Sequence, residues 1–363
     1  MKKLVAISVL FALLTGAAFA QVTFSGSVAT GIRMNFGDNF KDQTPNMEFA
    51  QQHIGNGNTF LRLDLNGAFT HSSGKAGGNF QLRLHDRGAL SNNITDNNRN
   101  AWVWYQPLDV LRISAGILEV GSYNTPSRAD ARNDVGRGTG IHFDLTPMDG
   151  LSIGLTINPG STGDSRAAAL RFGLRYQMPD VFVAVANVGL NRLGYDPMRV
   201  GMAFGVNILA LKDVGLTELS VDANIADLQT ETGRPTTITI GQRVQFASGD
   251  VALGLAAHEV IVQDQDWATM RFHFWGSYKI GDITPRLDVG LGMNRPGSND
   301  PRAWDGTGKT AAENNTVLII NPNVAFVLGG PSVTIGYGAN VGMVKDGDTS
   351  INHGIYVNFG ISF

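Results

Sequence analysis

Cysteine is absent from all 363 residues. That excludes a disulfide framework, a thiolate metal site and a cysteine nucleophile. Charge is scarce, at 16% of residues, which is odd for a chain presenting both faces of its sheets to water. No long apolar run follows Gln21, so a helical inner-membrane protein is excluded, since each span needs about 20 such residues. A glycine-rich phosphate loop, an HExxH helix and a GxSxG elbow are all missing, and with them the local signatures of common enzymes. The histidines, among them His71, His85, His142, His258, His273 and His353, are scattered one per strand or turn. Basic excess is missing too. Without Lys2 and Lys3 the 28 basic residues fall to 26 against 31 acidic ones, which argues against nucleic acid as a partner.

What is present begins with an export signal. Lys2 and Lys3 form a positive n-region, 4–14 an apolar h-region, and Ala18-Phe19-Ala20 a small-x-small cleavage site. Residue 21 is Gln rather than Cys, which speaks against a lipid-anchored lipoprotein. Residues 1–20 are therefore expected to be removed, leaving 21–363 as a single domain.

That domain reads as strands with side chains alternating between two faces. In the first, Phe24, Val28, Ile32, Met34 and Phe36 oppose Ser25, Ser27, Ala29 and Arg33. In the next two, Leu61, Leu63 and Leu65 oppose Arg62, Asp64 and Asn66, and Leu82 and Leu84 oppose Gln81, Arg83 and His85. Connections alternate in length: tight Pro, Gly and Asp turns at 106–109, 146–150, 177–180, 211–215, 247–250, 280–282 and 328–331 lie between long polar loops. The strand count is about eighteen, with sixteen the alternative, and even counts are the rule for bacterial membrane barrels. Three places fit badly. The stretch 181–190 is apolar on both faces, Trp102 and Trp104 take no assignable side, and Pro285 and Pro322 are expected at bulges or strand ends because each lacks a ladder donor. Aromatics gather at both strand borders: Phe24, Tyr105, Tyr176, Phe246, Tyr278 and Phe363 near the short turns, and Phe36, Phe60, Tyr123, Tyr195 and Trp267 near the long loops. They suit the girdles of a membrane barrel.

The final stretch, NHGIYVNFGISF at 352–363, alternates strictly and ends on an aromatic. With this pattern the chain resembles the bacterial outer-membrane β-barrel superfamily. The resemblance implies a transmembrane antiparallel up-and-down barrel of 16–18 strands, with both termini periplasmic and outer-membrane lipid around it. It also implies that Tyr356, Phe359, Ile361 and Phe363 form an assembly signal read by the barrel-insertion machinery.

On that reading the polar faces look into a lumen. The inward set contains Arg33, Arg62, Arg83, Arg112, Arg171, Arg175, Arg243, Arg271 and Arg286, with the acids Asp64, Asp144, Glu218, Asp222 and Asp288. Facing lipid, each would cost several kcal/mol; facing water they cost little and set the field along a pore. They serve equally as wall-stiffening ion pairs. The loop 119–138 is the most distinctive segment, and its start, Tyr123-Asn-Thr-Pro126, looks similar to the inward third loop of some trimeric porins. That resemblance makes Tyr123, Arg128, Asp130, Arg132, Asp134 and Arg137 a pore constriction facing the wall arginines, and implies a homotrimer. As residues alone they also fit a solvated surface loop.

The function expected is a porin-like outer-membrane channel, passing small hydrophilic solutes and ions without a cofactor or metal. Barrels of about sixteen strands and more hold water, whereas those of about eight are filled by side chains. The rivals are a fatty-acid-type transporter of hydrophobic substrates and a surface adhesin or structural barrel with a blocked lumen.

Overall fold

In the computed structural model one antiparallel sheet closes on itself. The structure describes residues 20–35, 46–49, 59–87, 94–120, 123–125, 135–159, 168–193, 198–226, 228, 235–263, 268–294, 316–343 and 349–363. The strands are β1 (Ala20–Asn35), β2 (Asn46–Phe49), β3 (Thr59–His71), β4 (Ala76–Arg87), β5 (Ile94–Leu108) and β6 (Leu111–Glu119). Next come β7 (Arg137–Met148), β8 (Leu151–Asn158), β9 (Ala168–Met178), β10 (Phe182–Leu193), β11 (Arg199–Ile208), β12 (Leu216–Ala226) and β13 (Thr237–Ser248). The last are β14 (Val251–Val262), β15 (Thr269–Tyr278), β16 (Ile283–Met293), β17 (Thr316–Val327), β18 (Ser332–Met343) and β19 (Ser350–Ser362).

From β3 onward each strand pairs with the next, and β19 returns to β1 from Ser27↔Ser362 to Asn35↔Gly354. On its other edge β1 carries two segments: β3 along Ala20–Thr30 and the short β2 along Ile32–Asn35. They fill one wall position between them, so the barrel has eighteen. Among the described residues closure leaves no strand without a partner on either side, which membrane-spanning sheets require. The closing ladder runs to the final residue, where Gly26 N–H donates to the Phe363 carbonyl at 2.8 Å and Phe363 N–H to the Gly26 carbonyl at 2.9 Å. The beginning of β1, the end of β19 and the short turns lie at the same end of the barrel.

Burial follows the pleat. Phe172, Phe204, Leu255, Ile355, Phe359 and Ile361 stand exposed on the outer face, Phe204 to 57%. The opposite parity holds Asp64, Asp222, Arg271 and Asp288, each under 9% exposed. This is the reverse of a soluble sandwich, and it is the arrangement a lipid surround demands. At the short-turn border Phe24, Tyr105, Tyr176, Tyr278 and Phe363 point outward and exposed, as a girdle should.

The prolines depart from expectation. Pro322 lies mid-strand in β17 opposite Leu287, and Pro285 lies in β16 opposite Val324, both in unbroken register. Instead of a bulge, Pro322 leaves a gap: β17 and β18 pair through Ile320↔Ala339 and resume at Asn323↔Gly336. Tyr356 of β19 reaches across that gap, its hydroxyl donating to Asn321 Oδ1 at 2.9 Å. Its ring lies over Gly336, where a Cβ would come within 2.3 Å. Pro107 and Pro147 occupy the unpaired pair of residues just before a tight turn. β5 runs from Ile94 through a register shift opposite Gln81 and Leu82.

Candidate pore lining

The inner face is built by parity. Trp102 and Trp104, unassigned from sequence, pair with Asn79 and Gly77 and so point inward, while Val103 and Tyr105 point out and are exposed. A Cβ at Gly77 would come within 2.7 Å of the Trp104 ring, so that indole lies against the wall. Trp275 does the same over Gly254, at 2.2 Å. Arg112 stacks over Trp104 at 4.3 Å and Arg286 over Trp275 at 4.5 Å. An arginine so placed keeps its charge at the water while its plane rests on a π-face.

Asp288 holds the densest polar cluster. It accepts two hydrogen bonds from Arg286, at 2.7 and 2.8 Å, and bonds His273 Nε2 at 3.0 Å. Arg243 stands 3.7 Å from Glu218, and Arg175 donates to Gln177 at 2.6 Å. By register Arg171, Arg175, Arg243 and Arg271 lie on the same face as Asp64 and Arg112. Arg62 and Arg83 occupy inward register positions opposite Ala29 and Asp64. The register adds Arg199, which pairs with Asn191 on the parity of buried Gly201 and Ala203. At the outer edge of β11, next to a polar loop, it has too few flanking strand residues for alternation to reveal it.

The third long connection turns inward at both of its described ends. Tyr123 is fully buried against β7 to β10. Its hydroxyl donates to Asp144 Oδ1 at 2.6 Å, and its carbonyl accepts from Asn187 Nδ2 at 3.1 Å. Its ring covers Gly154 and Gly173, where a Cβ would come within 2.6 and 2.7 Å, and meets His142 edge-on at 5.8 Å. Burial, reinforced by the Asp144 hydrogen bond and charge, pushes the Tyr123 hydroxyl well above its ordinary range, so it stays a donor. At the other end Gly136 N–H donates to Thr156 Oγ1 at 2.6 Å, and Thr156 Oγ1 also lies 2.9 Å from His142 Nδ1. Val120 N–H donates to the Gly136 carbonyl at 2.7 Å, tying the two ends together. The Arg137 carbonyl accepts from Asn158 at 3.0 Å and from Arg171 at 3.4 Å.

Tyr123 is therefore no member of an outer aromatic girdle; the polar partners and two glycines of the inner wall draw it in. Arg128, Asp130, Arg132 and Asp134 lie outside the described residues, as do the side chains of Phe36, Phe60, Tyr195 and Trp267. In the closing strand Tyr356 faces inward, and Phe359, Ile361 and Phe363 outward. His353, of outward parity beside Tyr337, is buried all the same.

Eighteen wall positions, an apolar outer surface and a polar inner one define a membrane-embedded β-barrel channel. The family model for Gram-negative porins matches residues 6–320, and the chain belongs to that family. It is a channel for small solutes in the bacterial outer membrane. Among solved structures it is similar to Pseudomonas aeruginosa OpdQ, at 10% identity and TM-score 0.58 over 94% of this chain and 99% of the other. Pseudomonas aeruginosa OprD gives 11%, 0.57, 94% and 96%, and Acinetobacter baumannii OccAB4 gives 11%, 0.56, 94% and 98%. These likenesses establish a shared fold. No curated protein sequence matches.

Proposed function

We propose a diffusion porin for small hydrophilic solutes and ions, its selectivity biased by wall arginines and by a third loop that narrows the lumen. The observation that carries this reading is the docking of Tyr123 on the inner faces of β7 to β10, with Gly136 fastened to Thr156 beside it. Residues 126–134 connect those two anchors, so Arg128, Asp130, Arg132 and Asp134 belong with Arg137 to the constriction. Together with wall arginines such as Arg243, Arg271 and Arg286, charges of both signs bias which ions pass.

The same reading makes residues 1–20 a cleaved export signal and 21–363 the mature barrel. The short turns and both chain ends face the periplasm, and lipid surrounds the exposed apolar belt. Tyr356, Phe359, Ile361 and Phe363 present the closing strand to the insertion machinery, and three copies associate. The chemistry is that of passage, with no bond made or broken.

Planar-bilayer recording of the purified protein tests the proposal. Large ohmic steps with an anion-leaning reversal potential in a KCl gradient are expected. Electrical silence would overturn it and favour a barrel with a blocked lumen.

A further inference from the structure

Arginines recur around the inner wall, but toward the short turns the inward positions of β3, β4 and β5 carry amides and indoles. A cavity of about 360 Å³ opens there, lined by Asn66, Asn79, Gln81, Asn100, Trp102 and Glu119. Asn100 Nδ2 donates both to Gln81 Oε1, at 3.3 Å, and to Glu119 Oε2. That network fixes three of the side chains in place before any solute arrives. Glu119 is the one charged group among the described residues lining the cavity.

Amides offer a donor and an acceptor each, a carboxylate accepts strongly, and an indole supplies a flat apolar surface. Their combination fits a solute with many hydroxyls around a ring and one apolar face of C–H bonds. A lone carboxylate disfavours anions, and an amide-rich wall gives a bare cation little beyond that one group. The volume holds one or two rings of a longer saccharide whose remainder lies in the open lumen.

We infer that this cavity is a lumen subsite for neutral pyranose sugars, with Trp102 as the stacking surface and Asn79, Gln81, Asn100 and Glu119 as hydroxyl partners. It rests on the channel reading only in that solute must reach the lumen. A preformed network orders little on binding, so a weak and rapidly reversible site suits passage.

The test uses the full mature chain folded in detergent and in planar bilayers. Titration with maltotriose, followed by tryptophan fluorescence, should saturate, and maltotriose should interrupt the ion current in a concentration-dependent way. Mannitol, a polyol without a ring face, should do neither. Trp102→Ala should weaken the response roughly tenfold, while Trp102→Phe retains most of it. Asn79→Ala should weaken it with the indole intact, so a misfolded W102A barrel, recognised by lost heat-modifiability, does not decide the matter. Equal responses to maltotriose and mannitol, or a maltotriose response unchanged in both W102A and N79A, would overturn the inference. Ohmic conductance without sugar is read separately: its absence would sink the channel reading, while the fluorescence titration still judges the subsite.

Discussion

The Tyr123 hydroxyl donates a 2.6 Å hydrogen bond to Asp144, and the same residue's ring spans the glycines of the next two strands. One side chain thus fastens the start of a long loop to the wall by a polar and a steric contact. Tyr123→Phe removes only the first, and Tyr123→Ala both. Single-channel conductance should change little in the former and several-fold in the latter, with faster proteolysis inside 126–134 as a second readout. Loss of a hydrogen bond to a charged acceptor amounts to about 1.5–3 kcal/mol, enough to loosen the loop without unfolding the barrel.

Gly154 and Gly173 make the complementary prediction. Valine at either collides with the Tyr123 ring, since even a Cβ would lie within 2.7 Å. Both variants should reproduce the conductance of Tyr123→Ala, and valine at Gly77, which underlies Trp104 instead, should not. Wild-type conductance in Gly154→Val would separate this contact from the pore.

Charge reversal tests the constriction. Arg128→Asp combined with Arg132→Asp should move the reversal potential toward cation preference, more so at low salt where screening is weak. Unchanged reversal potentials would take these residues out of the ion path.

The closing strand gives a fourth expectation. Deleting Phe363 removes both backbone hydrogen bonds to Gly26 and the ring that covers it. The heat-modifiable folded fraction recovered from outer membranes should fall severalfold. Normal yield would mean that β1 and β19 close without this residue.

The alternating strands were readable in advance because a period of two puts leucines and arginines on opposite faces, as at Leu61 to Asn66. The closing strand followed from the same rule, whereas the count of about eighteen, with sixteen the alternative, leaned on the even numbers usual in bacterial barrels. Trp102 and Trp104 were not readable, because Val103 between them and Tyr105 after them are also large; Gly77 on β4 settles their side only once the register is known. Likewise 181–190 is apolar on both faces, and its inward Val185 and Asn187 are buried beside the Tyr123 anchor. That cover comes from a loop some sixty residues away in sequence, beyond any local pattern. Pro322 misled for a similar reason: Tyr356, two strands away, spans the gap it leaves.

Gly77, Gly254, Gly336 and the pair under Tyr123 all lie beneath aromatic rings of the inner wall. Each lets an aromatic plate recline on its neighbour, so the room left inside the barrel depends in part on residues that contribute no side chain at all. A single methyl at any of them would tilt a plate into the water column, so bore width can drift by point substitution while every charge stays where it is.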